Sequence, residues 1–274
     1  MTVSMVSQQS SDAPLALAIF DIDGVVRDVS GSYRRALADT VEHFTQGQYR
    51  PTPDELDTLK AEGIWNNDWE ASRELIRRFF AAQGQPEREL DFQAIVDFFQ
   101  AKYRGTNFSG YIQNEPLLMG QPYLTGLTQG DVPWGFFSGA TQGSAGYVLG
   151  QRLGLDQPVL VAMEDAPGKP DPQGLFQAIA LLAQRHGFSS DLSVPFGFPI
   201  LYVGDTVADM HTVERAKQIY PMQQWLGVGV IPPHVQQRSP YTQLLEKAGA
   251  IAVLDSVEML TAEWIRDLQQ SVKP

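Results

Sequence analysis

Short apolar runs bounded by glycine, proline or aspartate recur along the chain, and they are typical of buried parallel strands. The runs cover residues 15–21, 134–138, 158–163, 200–205, 225–231 and 250–255. Helical patterns separate the later runs, at residues 141–153, 171–186 and 207–218. This alternation predicts a doubly wound α/β fold, in which helices cover both faces of a parallel sheet.

The interval between the first and second runs is far too long for one crossover, because 112 residues separate Asp21 from Trp134. Apolar positions in it recur at helical spacing and predict four helices. The pair Thr52 and Glu55 has the spacing of a capping box at the start of the second helix. Gly84 and the later Gly105 are placed to end the third and fourth helices. The sequence therefore predicts an all-helical domain inserted after the first strand.

The segments that flank this insert are rich in glycine and polar residues, and they predict two hinges. The first is GVVRDVSG, residues 24–31, and the second is NFSGYIQNEP, residues 107–116. The predicted domains are a flexible N-terminal tail, an α/β core made of two segments, and a helical cap. In residue numbers these are 1–13 for the tail, 14–27 and 116–274 for the core, and 28–115 for the cap.

The composition argues against several classes of function. The chain has 20 Lys plus Arg against 32 Asp plus Glu, a formal charge of -12, which repels nucleic acid and anionic lipid. It has no cysteine, so neither disulfides nor thiolate chemistry are available. No apolar run reaches membrane-span length, and no Lys or Arg precedes the first apolar run at Leu15. We therefore expect a cytoplasmic protein that binds neither nucleic acid nor membrane; its oligomeric state is not predicted.

Candidate chemistry lies where the predicted strands end, since open α/β sheets bind ligands outside the carboxyl ends of their strands. The first run ends in Asp21-Ile22-Asp23-Gly24, where a tight turn brings two carboxylates towards one ligand. The second ends in Ser138-Gly139, a hydroxyl followed by backbone N–H groups that suit an anion. Together these two strand ends are suited to a phosphorylated ligand.

The third and fourth apolar runs are also followed by charged residues that suit a phosphorylated ligand. Lys169 lies between Gly168 and Pro170, which restrict the backbone and present the ammonium at a defined point. The fourth run leads into Asp205 and Asp209, four residues apart at the opening of a helix and so on one face of its first turn. Carboxylate oxygens of this kind are ligands that suit Mg²⁺. Each residue alone has an ordinary structural interpretation, as a helix cap, a turn residue or a solvated charge. Only their combination, in order along the chain, favours phosphoryl chemistry.

The order DIDGV, FFSGAT, GKPDP and GDTVAD resembles the four motifs of the haloacid dehalogenase-like hydrolase superfamily. The insert after the first motif is similar to the C1 cap of its phosphoglycolate phosphatase and β-phosphoglucomutase branch. The resemblance implies a Rossmann-like parallel sheet with a helical cap. Because Asp23 is present and the founding dehalogenases are generally thought to lack this carboxylate, dehalogenation is not expected.

The resemblance also implies roles for individual residues. Asp21 would be the nucleophile that forms an aspartyl-phosphate, and Asp23 the general acid and base. Ser138, the N–H of Gly139 and Lys169 would hold the phosphoryl group. The implied Mg²⁺ ligands are Asp21, the carbonyl of Asp23 and Asp205, with Asp209 ligating or supporting them. The remaining negative charge of four carboxylates and one lysine makes a divalent cation necessary before a phosphate dianion can approach.

We therefore expect a Mg²⁺-dependent phosphomonoester hydrolase that acts on a small phosphorylated metabolite. Two alternatives stay open: a phosphomutase with the same aspartyl nucleophile, and a non-catalytic module that binds a phosphorylated ligand. In-line transfer followed by hydrolysis requires water to be excluded and then admitted, which would give the cap the role of a lid.

Two candidate specificity residues lie outside the motifs. Arg27, at the first hinge, would either steer an anionic substrate or be a surface charge. Asn66 lies in the segment Trp65-Asn66-Asn67-Asp68-Trp69 and is a candidate for reading a polar leaving group. The ordinary interpretation of this segment is a helix N-cap at Asn67 or Asp68, with the tryptophans packed inside the cap.

Overall fold

The computed structural model describes residues 13–65, 67–85 and 89–271. It has a single parallel sheet of six strands in the order β3-β2-β1-β4-β5-β6. The strands are β1 Leu17–Phe20, β2 Trp134–Phe137, β3 Leu160–Val161, β4 Ile200–Gly204, β5 Trp225–Val230 and β6 Ala250–Leu254. Each lies within one of the six predicted runs, so the α/β expectation is confirmed.

Strand β1 is buried along its whole length, and its side chains alternate between two hydrophobic layers. Leu17 and Ile19 belong to a layer with residues of the later helices, and Ala18 and Phe20 belong to a layer that continues into the insert. A strand with helices on both sides needs apolar residues at every position, which explains the unbroken apolar run LAIF.

The predicted insert between β1 and β2 contains four helices. They are α1 Tyr33–Phe44, α2 Pro53–Ala61, α3 Asp68–Ala82 and α4 Phe92–Tyr103. Helices α1, α3 and α4 pack on one another, and α2 adds Leu56 and Leu59 to the same core cluster. The capping box of α2 is confirmed: the Thr52 hydroxyl accepts from the backbone N–H of Glu55, whose carboxylate accepts from the N–H of Thr52. Asn67 is the N-cap of α3 and accepts two backbone N–H groups.

The remaining helices cover the sheet. They are α5 Gln121–Gln129, α6 Gln142–Gly146, α7 Gln173–His186, α8 Val207–Ile219, α9 Arg238–Lys247 and α10 Ala262–Ser271. The predicted helix at 141–153 is divided, because regular α-helix ends at Gly146 and a π-helical segment runs from Tyr147 to Arg152. The helix predicted from residue 171 begins two residues later, after Pro172.

The two connections between insert and sheet lie side by side. The N–H of Asp28 donates to the carbonyl of Pro116 at 2.9 Å, and the N–H of Leu118 donates to the carbonyl of Val26 at 2.8 Å. These antiparallel contacts join the two predicted hinges next to β1. The domain boundaries at 27/28 and 115/116 stay a prediction, and the predicted tail, apart from Ala13, lies outside the described residues.

Candidate active site

Two of the predicted acidic residues lie where the strand order reverses. Strand β1 is followed by Asp21 and its neighbour β4 by Asp205, so their carboxylates meet at the switch point of the sheet. Asp209 in α8 adds a third, and one oxygen from each of these three carboxylates lies within 4.8 Å of the others. A crevice at the carboxyl ends of neighbouring strands is the usual ligand site of an open α/β sheet.

Lys169 binds two of these carboxylates. Its Nζ lies 2.8 Å from Oδ1 of Asp21 and 2.6 Å from Oδ1 of Asp209. Burial alone would lower the pKa of Lys169, but the charges of Asp209 and Asp21 outweigh burial and raise the pKa above its ordinary value. The lysine is therefore a fixed cation between the proposed nucleophile and the α8 carboxylate.

The carboxylate cluster is held away from water. Asp21 is 6% exposed and Asp209 is fully buried. Burial raises the pKa of Asp21 to about 6, although the charge of Lys169 acts in the opposite direction. Burial, reinforced by the charges of Asp209 and Asp21, also raises the pKa of Asp205 well above its ordinary value.

This donor set fits a divalent cation. Three carboxylates and one lysine leave an excess of negative charge in a buried space, and neighbouring carboxylates of one sign disfavour each other's ionisation. A bound Mg²⁺ would remove that excess, and carboxylate oxygen is its preferred protein ligand. Asp21, Asp205 and Asp209 are the side chains that would hold it. The carboxylate of Asp23, which was also among the predicted site residues, contacts Arg27: its Oδ1 accepts a hydrogen bond from Nε of Arg27 at 2.6 Å.

Two glycines make room for the cluster. Gly24 has a φ of 78°, and a Cβ there would lie 2.1 Å from Oδ2 of Asp205. At Gly204 a Cβ would lie 2.3 Å from the Cβ of Asp209. Side chains at either position would displace a carboxylate, which explains why both strand-end motifs carry glycine.

Asp209 is also fixed by hydrogen bonds, in a way that sequence analysis missed. Its carboxylate accepts from the N–H and the hydroxyl of Thr206, at 2.9 and 2.6 Å, as part of the capping box of α8. The buried hydroxyl of Tyr202 lies 3.1 Å from its other oxygen. Asp209 therefore combines the ordinary role of a cap residue with a place in the carboxylate cluster.

Ser138 and Gly139 follow β2, as predicted. Ser138 is buried, and its hydroxyl accepts from the N–H of Ala140 at 3.2 Å. The expected free N–H groups at the start of α6 are in part occupied, because the N–H of Gln142 donates to Glu164 at 2.8 Å and that of Ser144 donates to Thr141. The anion-binding role expected for this turn therefore depends on Ser138 and Gly139, and it stays a prediction.

Arg27 is completely buried, so its interpretation as a surface charge is wrong. Its Nε and Nη2 both lie 2.6 Å from Oδ1 of Asp23, and its Nη1 donates to Oε2 of Glu115 at 2.9 Å. The other oxygen of Glu115 accepts from the hydroxyl of Ser32. Burial raises the pKa of Glu115 to about 7 despite the nearby charge of Arg27. This network joins the first motif to both hinges.

Sequence analysis missed Glu115 and Ser32. Glu115 lies 88 residues from Arg27, and the only signal was a carboxylate in a hinge segment otherwise interpreted as a polar loop. Asn66, the second candidate specificity residue, lies outside the described residues. Trp65 and Trp69 pack against the core cluster, as the ordinary interpretation of that segment expects.

A cleft lies between the sheet and the insert, and we call it the cap cleft. Its lining includes Gly139 and Ala140 from the core, Asp68 and Trp69 from α3, and Gln100 from α4. Arg27 also lines it. The cap cleft therefore lies between the turn predicted to bind the phosphoryl group and the helical insert.

Comparison with known families identifies the class of protein. A family model described as haloacid dehalogenase-like hydrolase matches residues 15–217, which is most of the chain. The chain belongs to this family of hydrolases. The match covers all four motifs and the helical insert, so the resemblance found in the sequence is confirmed.

Solved structures of the same architecture lie at low sequence identity. A phosphatase from Thermococcus thioreducens is 22% identical, with a TM-score of 0.58 over 84% of this chain and 99% of the other. A HAD family hydrolase from Deinococcus radiodurans with bound phosphate and sodium is 18% identical, with a TM-score of 0.59 over 93% and 97%. CbbY from Rhodobacter sphaeroides in complex with phosphate is 17% identical, with a TM-score of 0.57 over 90% and 96%. These likenesses establish the capped Rossmann-like fold.

Among curated proteins, a chain from Phytophthora nicotianae named imidazoleglycerol-phosphate dehydratase is 28% identical over 255 residues. The match covers 88% of this chain but only 50% of that protein, so this chain spans about half the length of its relative. Within the described ranges, no helix combines the length and apolar character that crossing a membrane requires. The cytoplasmic location stays a prediction.

Proposed function

We propose that the protein is a Mg²⁺-dependent phosphomonoester hydrolase that acts on a small phosphorylated metabolite through an aspartyl-phosphate. The observation that carries the proposal is the buried cluster of Asp21, Asp205 and Asp209 bound to Lys169 at the switch point of the sheet. A hydrolase family defines the chemistry only broadly. The close approach of Asp21, Asp205 and Asp209 to one another and to Lys169 supports the finer proposal, because such a set suits a carboxylate nucleophile beside a divalent cation.

The relative in Phytophthora nicotianae supports a small phosphorylated substrate. Its name states that it acts on an imidazoleglycerol phosphate, which is a phosphomonoester of a small alcohol. Because this chain spans only half of that protein, the relative supports the size and class of the ligand rather than the dehydratase reaction.

In the first step, an oxygen of Asp21 forms a bond to phosphorus while the bond from phosphorus to the leaving alkoxide breaks. Asp23 gives its proton to that alkoxide, which leaves as an alcohol. Lys169 and the turn at Ser138 hold the phosphoryl oxygens in line with Asp21. A bound Mg²⁺ would supply the charge that offsets repulsion between carboxylate and phosphate.

In the second step, Asp23 takes a proton from a water molecule whose oxygen bonds to phosphorus. The bond between phosphorus and Asp21 breaks, which releases phosphate and restores both carboxyl groups. The same residue thus serves as acid and then as base. The 2.6 Å contact from Arg27 to Asp23 fixes the position of this carboxyl group beside the nucleophile's strand.

The decisive experiment is a phosphate-release screen with Mg²⁺ over sugar phosphates, phosphoglycolate, nucleotides and phosphoamino acids. We expect at least one small phosphomonoester to be hydrolysed, and Asp21→Asn to lose roughly 10⁴-fold in kcat with unchanged circular dichroism. Turnover that survives in Asp21→Asn would overturn the aspartyl-phosphate mechanism.

Two other outcomes would identify the alternatives. Activity on a sugar phosphate that requires a catalytic bisphosphate and releases no free phosphate would indicate a phosphomutase. Binding of phosphorylated ligands with no turnover of any compound, in the presence of Mg²⁺, would indicate a non-catalytic binding module.

A further inference from the structure

Buried ionic contacts lead from the first motif to the second predicted hinge. Arg27 has no exposed surface, and its guanidinium lies between two carboxylates. Nε of Arg27 donates to Oδ1 of Asp23 at 2.6 Å, and Nη1 donates to Oε2 of Glu115 at 2.9 Å. Because 88 residues separate Arg27 from Glu115, only the meeting of the two hinges brings this second carboxylate to the arginine.

The two oxygens of Asp23 have different surroundings. Oδ1 accepts from Nε of Arg27, and Nη2 of the same side chain lies equally close to it, at 2.6 Å. No described residue hydrogen bonds to Oδ2, and the side chain of Asp23 is 23% exposed. A guanidinium donates hydrogen bonds and accepts none, so a proton that Asp23 transfers belongs on Oδ2. Arg27 therefore holds one oxygen and leaves the other available for proton transfer.

The guanidinium has a second point of attachment at Glu115. An arginine side chain has about 2 kcal/mol of rotamer entropy to lose, so a contact at one end alone would leave it several orientations. The guanidinium is planar and its donors point in fixed directions. The contact of Nη1 with Glu115 therefore sets the directions of Nε and Nη2, which hold Asp23. Glu115 influences Asp23 without touching it.

Glu115 is itself held in place from two sides. It is 2% exposed, and its Oε1 accepts from the hydroxyl of Ser32, the residue before α1. Its backbone carbonyl accepts from the guanidinium of Arg152, at the end of the π-helical segment. A buried carboxylate with a charged and a neutral donor is held more strongly than an exposed one, because charge-assisted hydrogen bonds gain strength away from water.

We propose that Glu115 is a positioning residue for proton transfer by Asp23 and that it acts through Arg27. This inference rests on the proposed phosphomonoesterase activity, in which Asp23 protonates the leaving oxygen. A general acid must lie within about 2.6–3.2 Å of that oxygen. Displacement by about 1 Å is enough to lose roughly 10²-fold in rate. A purely structural ion pair would instead support every reaction of the site equally.

The test compares two phosphoryl compounds of nearly the same size, acetyl phosphate and ethyl phosphate, at pH 7 with Mg²⁺. Acetate leaves as a stable anion, whereas ethoxide must be protonated as it leaves, so only ethyl phosphate depends on the general acid. The ratio kcat/KM reports the steps up to departure of the leaving group. In Glu115→Ala we expect it to fall about 30-fold for ethyl phosphate and less than about threefold for acetyl phosphate.

A conservative variant and a matched control accompany this change. Glu115→Gln keeps an oxygen that can accept from Nη1 of Arg27, so both kcat/KM values should stay within about threefold of the wild type. The control Glu62→Ala removes another pair of a carboxylate and an arginine, with Arg78 at 2.6 Å on the surface of the insert, and should leave the ratio of the two values unchanged. Circular dichroism checks that each variant folds. If Glu115→Ala does not fold, Ser32→Ala replaces it, with an expected fall of about fivefold for ethyl phosphate alone.

The possible outcomes separate this inference from the proposed function. Equal falls for the two compounds in Glu115→Ala, or in Ser32→Ala if that variant replaces it, would overturn the positioning role. A fall in Glu115→Gln as large as in Glu115→Ala would also contradict it, because the position of the acceptor would then not matter. Hydrolysis of both compounds that depends on Asp21, with an unchanged ratio in Glu115→Ala, would refute the positioning role alone. If no phosphomonoester is hydrolysed in a way that depends on Asp21, the proposed function fails, and the positioning role fails with it.

Discussion

The carboxylate cluster and the cap cleft lie next to each other but are built in different ways. Cluster residues such as Asp21 and Asp205 directly follow fully buried strands, so backbone pairing in the sheet fixes their positions. Cleft residues such as Asp68 and Phe99 project from helices whose positions depend on packing within the insert. The comparison teaches that the backbone of the sheet positions the carboxylate cluster, whereas packing between the helices of the insert positions the side chains of the cap cleft.

Arg27 lines the cap cleft and contacts Asp23, two residues after the Asp21 of the cluster, and its removal should have the largest effect on stability. In Arg27→Met, two carboxylates lose their common partner inside the protein. Breaking a buried ion pair in this way costs about 3–5 kcal/mol in free energy of unfolding. Urea unfolding at pH 7.5 measures the loss. Because the pKa of Glu115 is already raised to about 7, a protonated Glu115 should make the loss smaller at pH 6.

The control for this variant is Arg238→Met, which removes an exposed ion pair with Asp255. That change should cost less than about 1 kcal/mol, as exposed pairs usually do. Equal losses in the two variants would show that Arg27 does not bridge the motif and the hinges. A loss for Arg27→Met that grows towards pH 6 would contradict the role assigned to Glu115.

The difference between the carboxylate cluster and the cap cleft also explains how much of the site could be predicted from the sequence. Strand-end motifs can be recognised because few positions in an α/β sheet can place Asp21, Ser138, Lys169 and Asp205 at one edge. The sequence singled out all four, and the structure brings Asp21, Lys169 and Asp205 together, whereas the role of Ser138 stays a prediction. The six strands and the four helices of the insert were also predicted and are present. Spacing could not reveal the pairing of Arg27 with Glu115, since it depends on how the two hinges meet in space.

The cap cleft could not be predicted from the sequence, and the reason is a different one. Tyr33, Phe99 and Tyr103 occupy helix positions that indicate only apolar packing, and they do pack against one another. Asp68 has the pattern of an N-terminal helix residue, which is ordinary for an acidic side chain. A residue that both packs within the insert and lines the cap cleft gives a sequence pattern for packing only, because packing is the commoner role.

Lys169→Gln tests the cluster directly. Glutamine keeps a hydrogen-bond donor near Asp21 and Asp209 but removes the charge that both carboxylates contact. We expect kcat for p-nitrophenyl phosphate to fall by about 10²- to 10³-fold, the usual cost of losing one preorganised charge stabiliser. Steady-state kinetics with Mg²⁺ measure it. Lys217→Gln, at a surface pair with Glu214, is the control, and a fall below about tenfold for Lys169→Gln would contradict its role.

Metal binding should stabilise the protein in a pH-dependent way. The pKa of Asp21 is raised to about 6, so protons are held more tightly in the folded, metal-free state than in the unfolded chain. That contribution to stability is complete at low pH and is lost as pH rises through about 6. Mg²⁺ competes with those protons, so the stabilisation of the folded protein by Mg²⁺ should be small at pH 5 and larger at pH 7.5.

Thermal unfolding with and without excess Mg²⁺ measures this difference. At about 100 times the dissociation constant, binding adds about 2.7 kcal/mol, which corresponds to roughly 5–10 °C for a chain of this size. The increment should disappear in Asp205→Asn, which removes one of the three cluster carboxylates. An increment of the same size at pH 5 and pH 7.5 would show that the metal does not use these titrating groups.

The smallest expected effect tests whether a loss of stability in the helical insert leaves the catalytic activity unchanged. Thr52→Ala removes the hydroxyl that accepts from the N–H of Glu55, and a lost N-cap costs about 1 kcal/mol. Because Thr52 lies on the outside of the insert, kcat for p-nitrophenyl phosphate should stay within about twofold of the wild type while the urea midpoint falls. Thr52→Ser, which keeps the cap, should restore the midpoint. A marked fall in kcat would mean that loosening the insert disturbs the carboxylate cluster, and the two regions would then have to be treated as one site.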